Sequence, residues 1–273
     1  MCQRIGLIAG SGPFPLIFAE KARKKGYQVA AVGYHDETDS DLANAVDAME
    51  ILHLGQIRKL IKFFKRHQVS HAVMIGAIKK PGSIAAIRPD FKAIALYAGM
   101  RHNTHDDNVL RTFAKALEDE GIEMRSATFL LPELLAKEGC WTKRKPSRDE
   151  QVDMELGWKM AKAIGNLDIG QCVVVSNGTV MAVEAIDGTD STIRRGAELA
   201  DGNAVVVKVC KPLQDFRFDV PTVGTQTIRT MQASGATVLV VEAGKSLVLD
   251  ASEMIRLADQ CHISIIALSP SAH

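Results

Sequence analysis

Chemistry-bearing side chains are densest in one stretch, Lys211-Pro212-Leu213-Gln214-Asp215-Phe216-Arg217-Phe218-Asp219-Val220-Pro221-Thr222-Val223-Gly224. Lys211 and Arg217 carry fixed positive charge that can neutralise phosphate oxygens, the Arg through a planar fork. Asp215 and Asp219 can hold a divalent cation or orient a water. Phe216 and Phe218 read as inward anchors. Cations, carboxylates, proline and glycine rarely concentrate this tightly without a site. The plainer alternative is a long polar loop with a strand fragment at 216–220.

Three further clusters invite a chemical reading. Gly10-Ser11-Gly12-Pro13-Phe14-Pro15 lies between a strand and a helix, where backbone N–H groups and a helix dipole suit an anion. A dinucleotide site would also want an acid at the end of the second strand, and Asp36 in Gly33-Tyr34-His35-Asp36 supplies one. The alternative is a tight turn that binds nothing. His102-Asn103-Thr104-His105-Asp106-Asp107 offers carboxylates for Mg2+ or Mn2+ and imidazoles for a transition metal. Asp106 is equally an N-cap, with Asp107 complementing the helix dipole. The two His lack helical i, i+4 placement and read as a surface loop. Glu184-Ala185-Ile186-Asp187-Gly188-Thr189-Asp190 puts three acids around a glycine. Either Glu184 and Asp190 face a cleft, or Asp190 caps a helix starting at Thr192.

The elements that must position these residues follow from periodicity. Strands are expected at 5–9, 28–33, 70–75 and 123–127, and helices at 16–26, 56–67 and 106–121. Between the third strand and the last helix runs Gly76-Ala77-Ile78-Lys79-Lys80-Pro81-Gly82, rich in small and basic residues. This alternation predicts an α/β, Rossmann-like domain with a parallel sheet over residues 1–134. Residues 135–148 are polar, basic and aperiodic, and are expected to be a linker. A second α/β domain with a mixed sheet follows over 149–269. Its helices fall at 149–165, 192–200, 225–234 and 253–260, and its strands at 171–176, 179–184, 204–210, 236–242, 247–249 and 264–268. Asn177-Gly178 between two β-rich runs marks a hairpin.

Bulk properties bound the function. The 273 residues suit two domains, and 47% hydrophobic residues can bury substantial cores. Lys and Arg (33) nearly balance Asp and Glu (32), so the net charge of +1 provides no field that would draw nucleic acid. No apolar run approaches the roughly 18–20 residues that span a bilayer. Met1-Cys2-Gln3-Arg4 passes at once into a short strand, unlike a signal peptide. The cysteines (Cys2, Cys140, Cys172, Cys210, Cys261) are scattered, with no C-x-x-C pair, and read as thiols of a reducing, cytoplasmic compartment.

Taken in order, the motifs resemble one family. They are I-A-G-S-G-x-x-P at 8–15, M-I-G-x-x-K-x-P at 74–81 and H-D-D-x-x-L-R at 105–111. V-E-A-x-x-G-T-D at 183–190, K-P-x-Q-D-x-R-x-D-x-P-T-x-G at 211–224 and V-E-A-G at 241–244 complete the set. The chain resembles the UDP-2,3-diacylglucosamine pyrophosphatases of lipid A biosynthesis, of the type unrelated to calcineurin-like phosphoesterases and long filed as a domain of unknown function. The resemblance covers nearly the whole chain. It implies a Gram-negative cytoplasmic hydrolase, dependent on Mg2+ or Mn2+, that gives UMP and 2,3-diacylglucosamine 1-phosphate (lipid X), with substrate held between two domains.

The resemblance also implies that the Asp of R-x-D-x-P, here Asp219, is essential. Asp219, Arg217 and Lys211 are the expected catalytic residues. Asp219, Asp190 and Asp107 are the expected metal ligands. Gly10, Ser11, Gly12, Gly76, Lys79, Gly188, Thr189, Gln214 and Thr222 are the expected substrate-binding residues. His102 and His105 depart from the family pattern, which has a shorter basic or glycine segment there. The partner is a lipid-linked nucleotide sugar, so transient contact with the inner-membrane surface is expected, with basic runs at 21–25, 59–66 and 143–148 as candidates. Whether the chain forms a homo-oligomer stays open. Two competing readings remain: an NAD(P)-binding oxidoreductase built on residues 10–15, and a non-catalytic nucleotide-sugar or lipid-binding protein.

Overall fold

The computed structural model describes residues 3–78, 88–99, 106–212, 214–218 and 220–269; for 97–99 and 106–108 the description is of the backbone alone. The chain divides into two compact units. One is Met1–Leu131 with Asp215–Asp219, the other Pro132–Gln214 with Val220–His273.

The first unit runs β1 (Arg4–Ala9), α1 (Phe14–Lys24), β2 (Gln28–Tyr34), α2 (Leu42–Ala45), β3 (Ala48–Leu52), α3 (Ile57–Arg66), β4 (His71–Ile75), α4 (Phe91–Gly99), α5 (Asp106–Glu118) and β5 (Glu123–Arg125). Its strands form a parallel sheet in the order β3-β2-β1-β4-β5. β1 and β2 are buried at every residue after the first, as strands covered on both faces must be. One face packs Ile8, Val32 and Ala72 against Leu60, Ile61 and Phe64 of α3 and Ala114 and Leu117 of α5. A Cβ on Gly6 would lie 2.9 Å from the tip of the Phe64 ring, so the absent side chain makes room for that ring. β3 has no counterpart among the expected strands. It pairs at the sheet edge with β2 alone, and its half-exposed residues lack the continuous apolar run that marks a central strand.

The second unit contains β6 (Gly139–Cys140), α6 (Arg148–Asn166), β7 (Cys172–Ser176), β8 (Thr179–Val183), α7 (Thr189–Leu199), β9 (Ala204–Lys208), β10 (Thr222–Val223), α8 (Thr225–Ser234), β11 (Ala236–Glu242), β12 (Leu247–Val248), α9 (Ala251–Gln260) and β13 (Ser264–Leu268). The sheet order is β6-β13-β11-β9-β7-β8. β9, β11 and β13 are parallel, while β6, β7 and β8 join antiparallel, so the sheet is mixed. Alternating residues serve two cores. Val205 and Val207 pack with Met154 and Trp158 of α6, whereas Val206 packs with Ile193 of α7 and Ile228 of α8. β10 and β12 form a separate parallel pair.

Two polar devices fix this unit. Asn177 (φ 50) and Gly178 (φ 71) make the expected left-handed hairpin turn, and their N–H groups donate to buried Asp153 at 2.9 and 2.6 Å. At the start of α6, Ser147 and Glu150 form a capping box. Residues 139–147 carry no sequence period because their partners are remote. β6 pairs with β13, Arg144 donates to Ser264 Oγ at 2.8 Å and to Glu150 at 2.7 Å, and Ile265 N–H donates to Thr142 Oγ1 at 3.0 Å.

Candidate functional site

Because β9, β11 and β13 are parallel, their carboxyl ends emerge at one edge of the second sheet, which is where open α/β sheets place ligands. β7 begins at that edge, with Cys172 opposite Lys208, and β8 ends there. The topology therefore gathers three motifs at one edge: 183–190, 208–214 and 241–245. Lys208, Lys211, Glu184, Asp190, Glu242 and Lys245 all belong to this group.

At its centre, Glu242 is fully buried. It accepts from Lys162 Nζ and, at 2.9 Å, from Cys210 N–H, and its other oxygen lies 3.0 Å from Lys245 Nζ. Burial pushes the carboxyl up, but the two lysines and the amide outweigh it and hold it below the usual glutamate range. Lys162 also donates to the Cys210 carbonyl at 3.0 Å. Neither Lys162 nor Lys245 stood among the expected site residues, although V-E-A-G had marked Glu242 as part of a motif.

Lys211 follows directly. Its ammonium pairs at 2.7 Å with Asp168, whose side chain is 67% exposed. A pair so wet is weak. Gln214 accepts from the Lys211 N–H at 2.9 Å and folds the loop on itself. Buried Lys208 donates to the Thr222 carbonyl at 2.9 Å, while the Thr222 hydroxyl donates to the Val220 carbonyl. Gln214 and Thr222 thus shape the loop with the polar groups expected to meet substrate.

In the acidic loop, Glu184 is buried. It accepts from the Thr189 hydroxyl at 2.7 Å and the Gln171 N–H at 3.1 Å, so it braces the chain instead of facing a cleft. Asp187 pairs with Arg195 at 3.0 Å, and this guanidinium holds its carboxyl below the usual range. α7 starts at Thr189, with Gly188 (φ 78) as its N-cap. Asp190 therefore stands in the first turn and does not cap a helix beginning at Thr192. It is half-buried.

Arg217 belongs to the first unit, and it is no bare cation. It grips Asp215 through Nε at 3.1 Å and a terminal nitrogen at 2.8 Å, reaches Glu118 at 2.9 Å, and lies over the Phe218 ring. Arg111 Nε is 4.0 Å from the same Asp215 carboxylate. The Arg217 bonds hold the Asp215 carboxyl below its ordinary value. Phe218 packs against the core of this unit. Residues 216–218 form a turn where a strand fragment was one expectation, because these side chains anchor the segment without a ladder. Asp219 and Lys79 lie outside the described residues, as do His102, His105 and the Asp107 side chain.

The glycine turn is closed in an unexpected way. Gly10 N–H donates to the Ile75 carbonyl at 2.8 Å, and Ser11 N–H and Oγ both donate to the Ala77 carbonyl, at 2.7 and 2.8 Å. Sheet order reverses between β1 and β4, and this bridge spans that switch point. The Gly10 and Ser11 N–H groups are therefore spent and do not aim at an anion. Glycine is required here for close approach: a Cβ on Gly10 would meet Ala77 O at 2.5 Å, and one on Gly76 would meet Ser11 O at 2.6 Å. The basic run 59–66 is likewise partly committed, with Lys65 on Glu120 and Arg66 on Glu50.

Among the described residues no group of three or more His, Cys, Asp or Glu is placed to hold a metal ion, and no helix is long and apolar enough to cross a membrane.

Comparison with known proteins assigns the family. Residues 4–134 match the LpxI N-terminal domain and residues 137–266 the LpxI C-terminal domain. UDP-2,3-diacylglucosamine pyrophosphatase LpxI of Caulobacter vibrioides is 30% identical over 278 residues, covering 98% of each chain. Two solved structures show distant likeness. CobK precorrin-6A reductase is 12% identical at a TM-score of 0.32, over 98% of this chain and 88% of that one. A UDP-glucose-4-epimerase from Stenotrophomonas maltophila, with bound NAD and formylated UDP-arabinopyranose, is 11% identical at 0.33, over 95% and 96%. With both domains matched and a full-length relative at this identity, the chain belongs to the LpxI family.

Proposed function

We propose that this chain hydrolyses the pyrophosphate bond of UDP-2,3-diacylglucosamine, releasing UMP and 2,3-diacylglucosamine 1-phosphate. The observation that carries the reading is the relative of that name from Caulobacter vibrioides, aligned over 98% of both chains. The lysine-rich edge of the second unit supports it. Splitting a phosphoanhydride needs neutralised non-bridging oxygens, an in-line water and a stabilised leaving phosphate. Lys211 supplies charge to the phosphate oxygens. Asp219 is the metal ligand or the base that orients water.

Mg2+ or Mn2+ belongs to the proposal, with Asp190 and Asp107 as further ligands to Asp219. A divalent ion there would neutralise phosphate charge and activate water. The described side chains do not by themselves form a ligand set. Gly12, Gly76, Lys79 and the Gly188–Thr189 turn complete the proposed substrate contacts, and the lipid tails bring the chain into transient contact with the inner membrane.

The test is incubation of the purified chain with UDP-2,3-diacylglucosamine and Mg2+ or Mn2+, with both products followed by mass spectrometry. UMP and the sugar 1-phosphate should appear in equal amounts, and Asp219→Ala should make neither while keeping its circular dichroism. Wild-type protein that releases no UMP with either metal would sink the proposal, whereas full turnover by Asp219→Ala would sink the role of that residue alone.

A further inference from the structure

Helix α4 of the first unit turns large apolar side chains to solvent. Phe91 is 86% exposed, and Ile94, one turn on, is 52% exposed. Scattered apolar residues on a surface are ordinary, but a pair on one helix face, rimmed by charge, marks a contact surface. The rim is α3, on which α4 packs. α3 carries Arg58, Lys59, Lys62, Lys65 and Arg66 and no acid. It buries Leu60, Ile61, Phe63 and Phe64, which leaves Arg58, Lys59 and Lys62 outside.

Two acids join the helices and are used up in doing so. One oxygen of Asp90 accepts from the Arg58 N–H at 2.6 Å and the other from the Ala93 N–H at 3.0 Å, so the first turns of α3 and α4 meet at one side chain. Arg58, Lys62 and Lys65 fall at i, i+4 and i+7 and share a face of α3. Lys65 shares Glu120 with Lys92 of α4, so that face borders α4. Hydrogen bonds from the two lysines hold the Glu120 carboxyl down at about 2. Among the described residues Arg58, Lys59 and Lys62 form no salt bridge. The other basic runs are spent differently: Lys25 donates to the Leu130 carbonyl, and Arg144 to Ser264 and Glu150.

We propose that the Phe91–Ile94 face of α4, with Arg58, Lys59 and Lys62 beside it, docks the chain on the surface of an anionic lipid bilayer. The proposal rests on the hydrolysis above, whose two-tailed substrate lies in a bilayer, and it names the surface that meets that bilayer. Charge complementarity selects the occupant. An aromatic ring and a branched chain enter the boundary between headgroups and acyl chains, while uncompensated cations meet lipid phosphates. Two apolar side chains hold only weakly, so the docking is reversible and loosens as salt screens the cations.

The experiment is co-sedimentation of the full chain with phosphatidylglycerol vesicles, with neutral phosphatidylcholine vesicles as the control, alongside hydrolysis of detergent-dispersed substrate. Wild-type protein should sediment with the anionic vesicles and far less with the neutral ones. Phe91→Ser should bind them roughly tenfold more weakly, and Lys62→Gln roughly fivefold more weakly. Both side chains are exposed, so both variants should melt as wild type and turn over detergent-dispersed substrate at the wild-type rate. Wild-type protein that turns over that substrate but stays in solution beside anionic vesicles overturns the docking face and leaves the proposed function standing. So does a Phe91→Ser variant that binds as wild type. Self-association that Phe91→Ser abolishes, without vesicle binding, gives the face to a second copy of the chain and overturns the proposal too. Vesicle binding lost in Phe91→Ser, in a chain that releases no UMP, upholds the docking face and sinks the hydrolysis. Wild-type protein that neither binds vesicles nor releases UMP overturns both.

Discussion

Lys162 and Glu242 form an ion pair in which the carboxylate is wholly shielded from solvent while 23% of the lysine side chain remains exposed. Helix α6 supplies the cation and the end of β11 the anion, so the pair ties a helix to the edge where the second unit's motifs converge. Cys210, which opens the loop to Lys211, is held from both sides: its N–H by Glu242 and its carbonyl by Lys162.

Lys162→Met should lower the stability of the chain by about 3 kcal/mol, the range for breaking a buried pair from one side. The substitution keeps an apolar stem of similar length and removes the charge. Glu242 then keeps only Lys245 and the Cys210 amide. Urea denaturation followed by circular dichroism measures the loss. A change below about 1 kcal/mol would mean that the pair behaves as an exposed one.

The same pair sets an acid limit. The Glu242 carboxyl is held below its ordinary value in the fold. Its contribution to stability is therefore complete above the unfolded value of about 4.3 and is lost as pH falls through the lower folded value. Glu150, held down by Arg144, Ser147 and Thr237 against its burial, acts in the same window and with the same sign. Melting temperature should be flat between pH 7 and pH 5 with respect to these groups and drop steeply below about pH 4. In Lys162→Met the drop should be shallower, because the carboxyl has lost a cation that held its folded value down and the proton difference between the folded and unfolded states shrinks. A melting curve against pH for the two proteins checks both statements.

Much of the scaffold was legible because buried parallel strands read as continuous apolar runs. Val173–Val175, Val205–Val207 and Val238–Val241 are unmistakable, and Asn177-Gly178 announces its turn. What escaped was non-local. Lys162 and Glu242 are 80 residues apart, and nothing local couples them. Arg217 reads as a phosphate ligand until Glu118, 99 residues away, is seen beside it. β3 was hidden by being an edge.

Gly76→Ala should be severely destabilising for the first unit. Gly76 sits at φ 93, and an added Cβ would lie 2.6 Å from the Ser11 carbonyl oxygen. Left-handed strain and overpacking against backbone each cost about 1–3 kcal/mol. The expected signature is local. Hydrogen exchange should show lost protection at the Gly10 and Ser11 amides, which bond to Ile75 and Ala77, while amides of β9 and β11 keep theirs. Equal loss in both units would show that the bridge is not where the strain is absorbed.

Lys211 and Asp168 separate a role in binding phosphate from a role in folding. Their ion pair at 2.7 Å joins a partly exposed lysine to an aspartate whose side chain is 67% exposed, so it contributes at most about 1 kcal/mol to stability. If Lys211 serves phosphate, its removal hurts catalysis far more than folding. Lys211→Met should lower kcat/KM by roughly 100-fold, in line with the loss of one fixed charge from a phosphoryl-transfer site, with a change in stability within about 1 kcal/mol. Asp168→Asn removes the competitor and keeps the lysine, so its activity should be unchanged or higher. If Asp168→Asn instead falls as far as Lys211→Met, the ion pair itself is what the reaction needs, and Lys211 acts by positioning the loop that begins at Cys210.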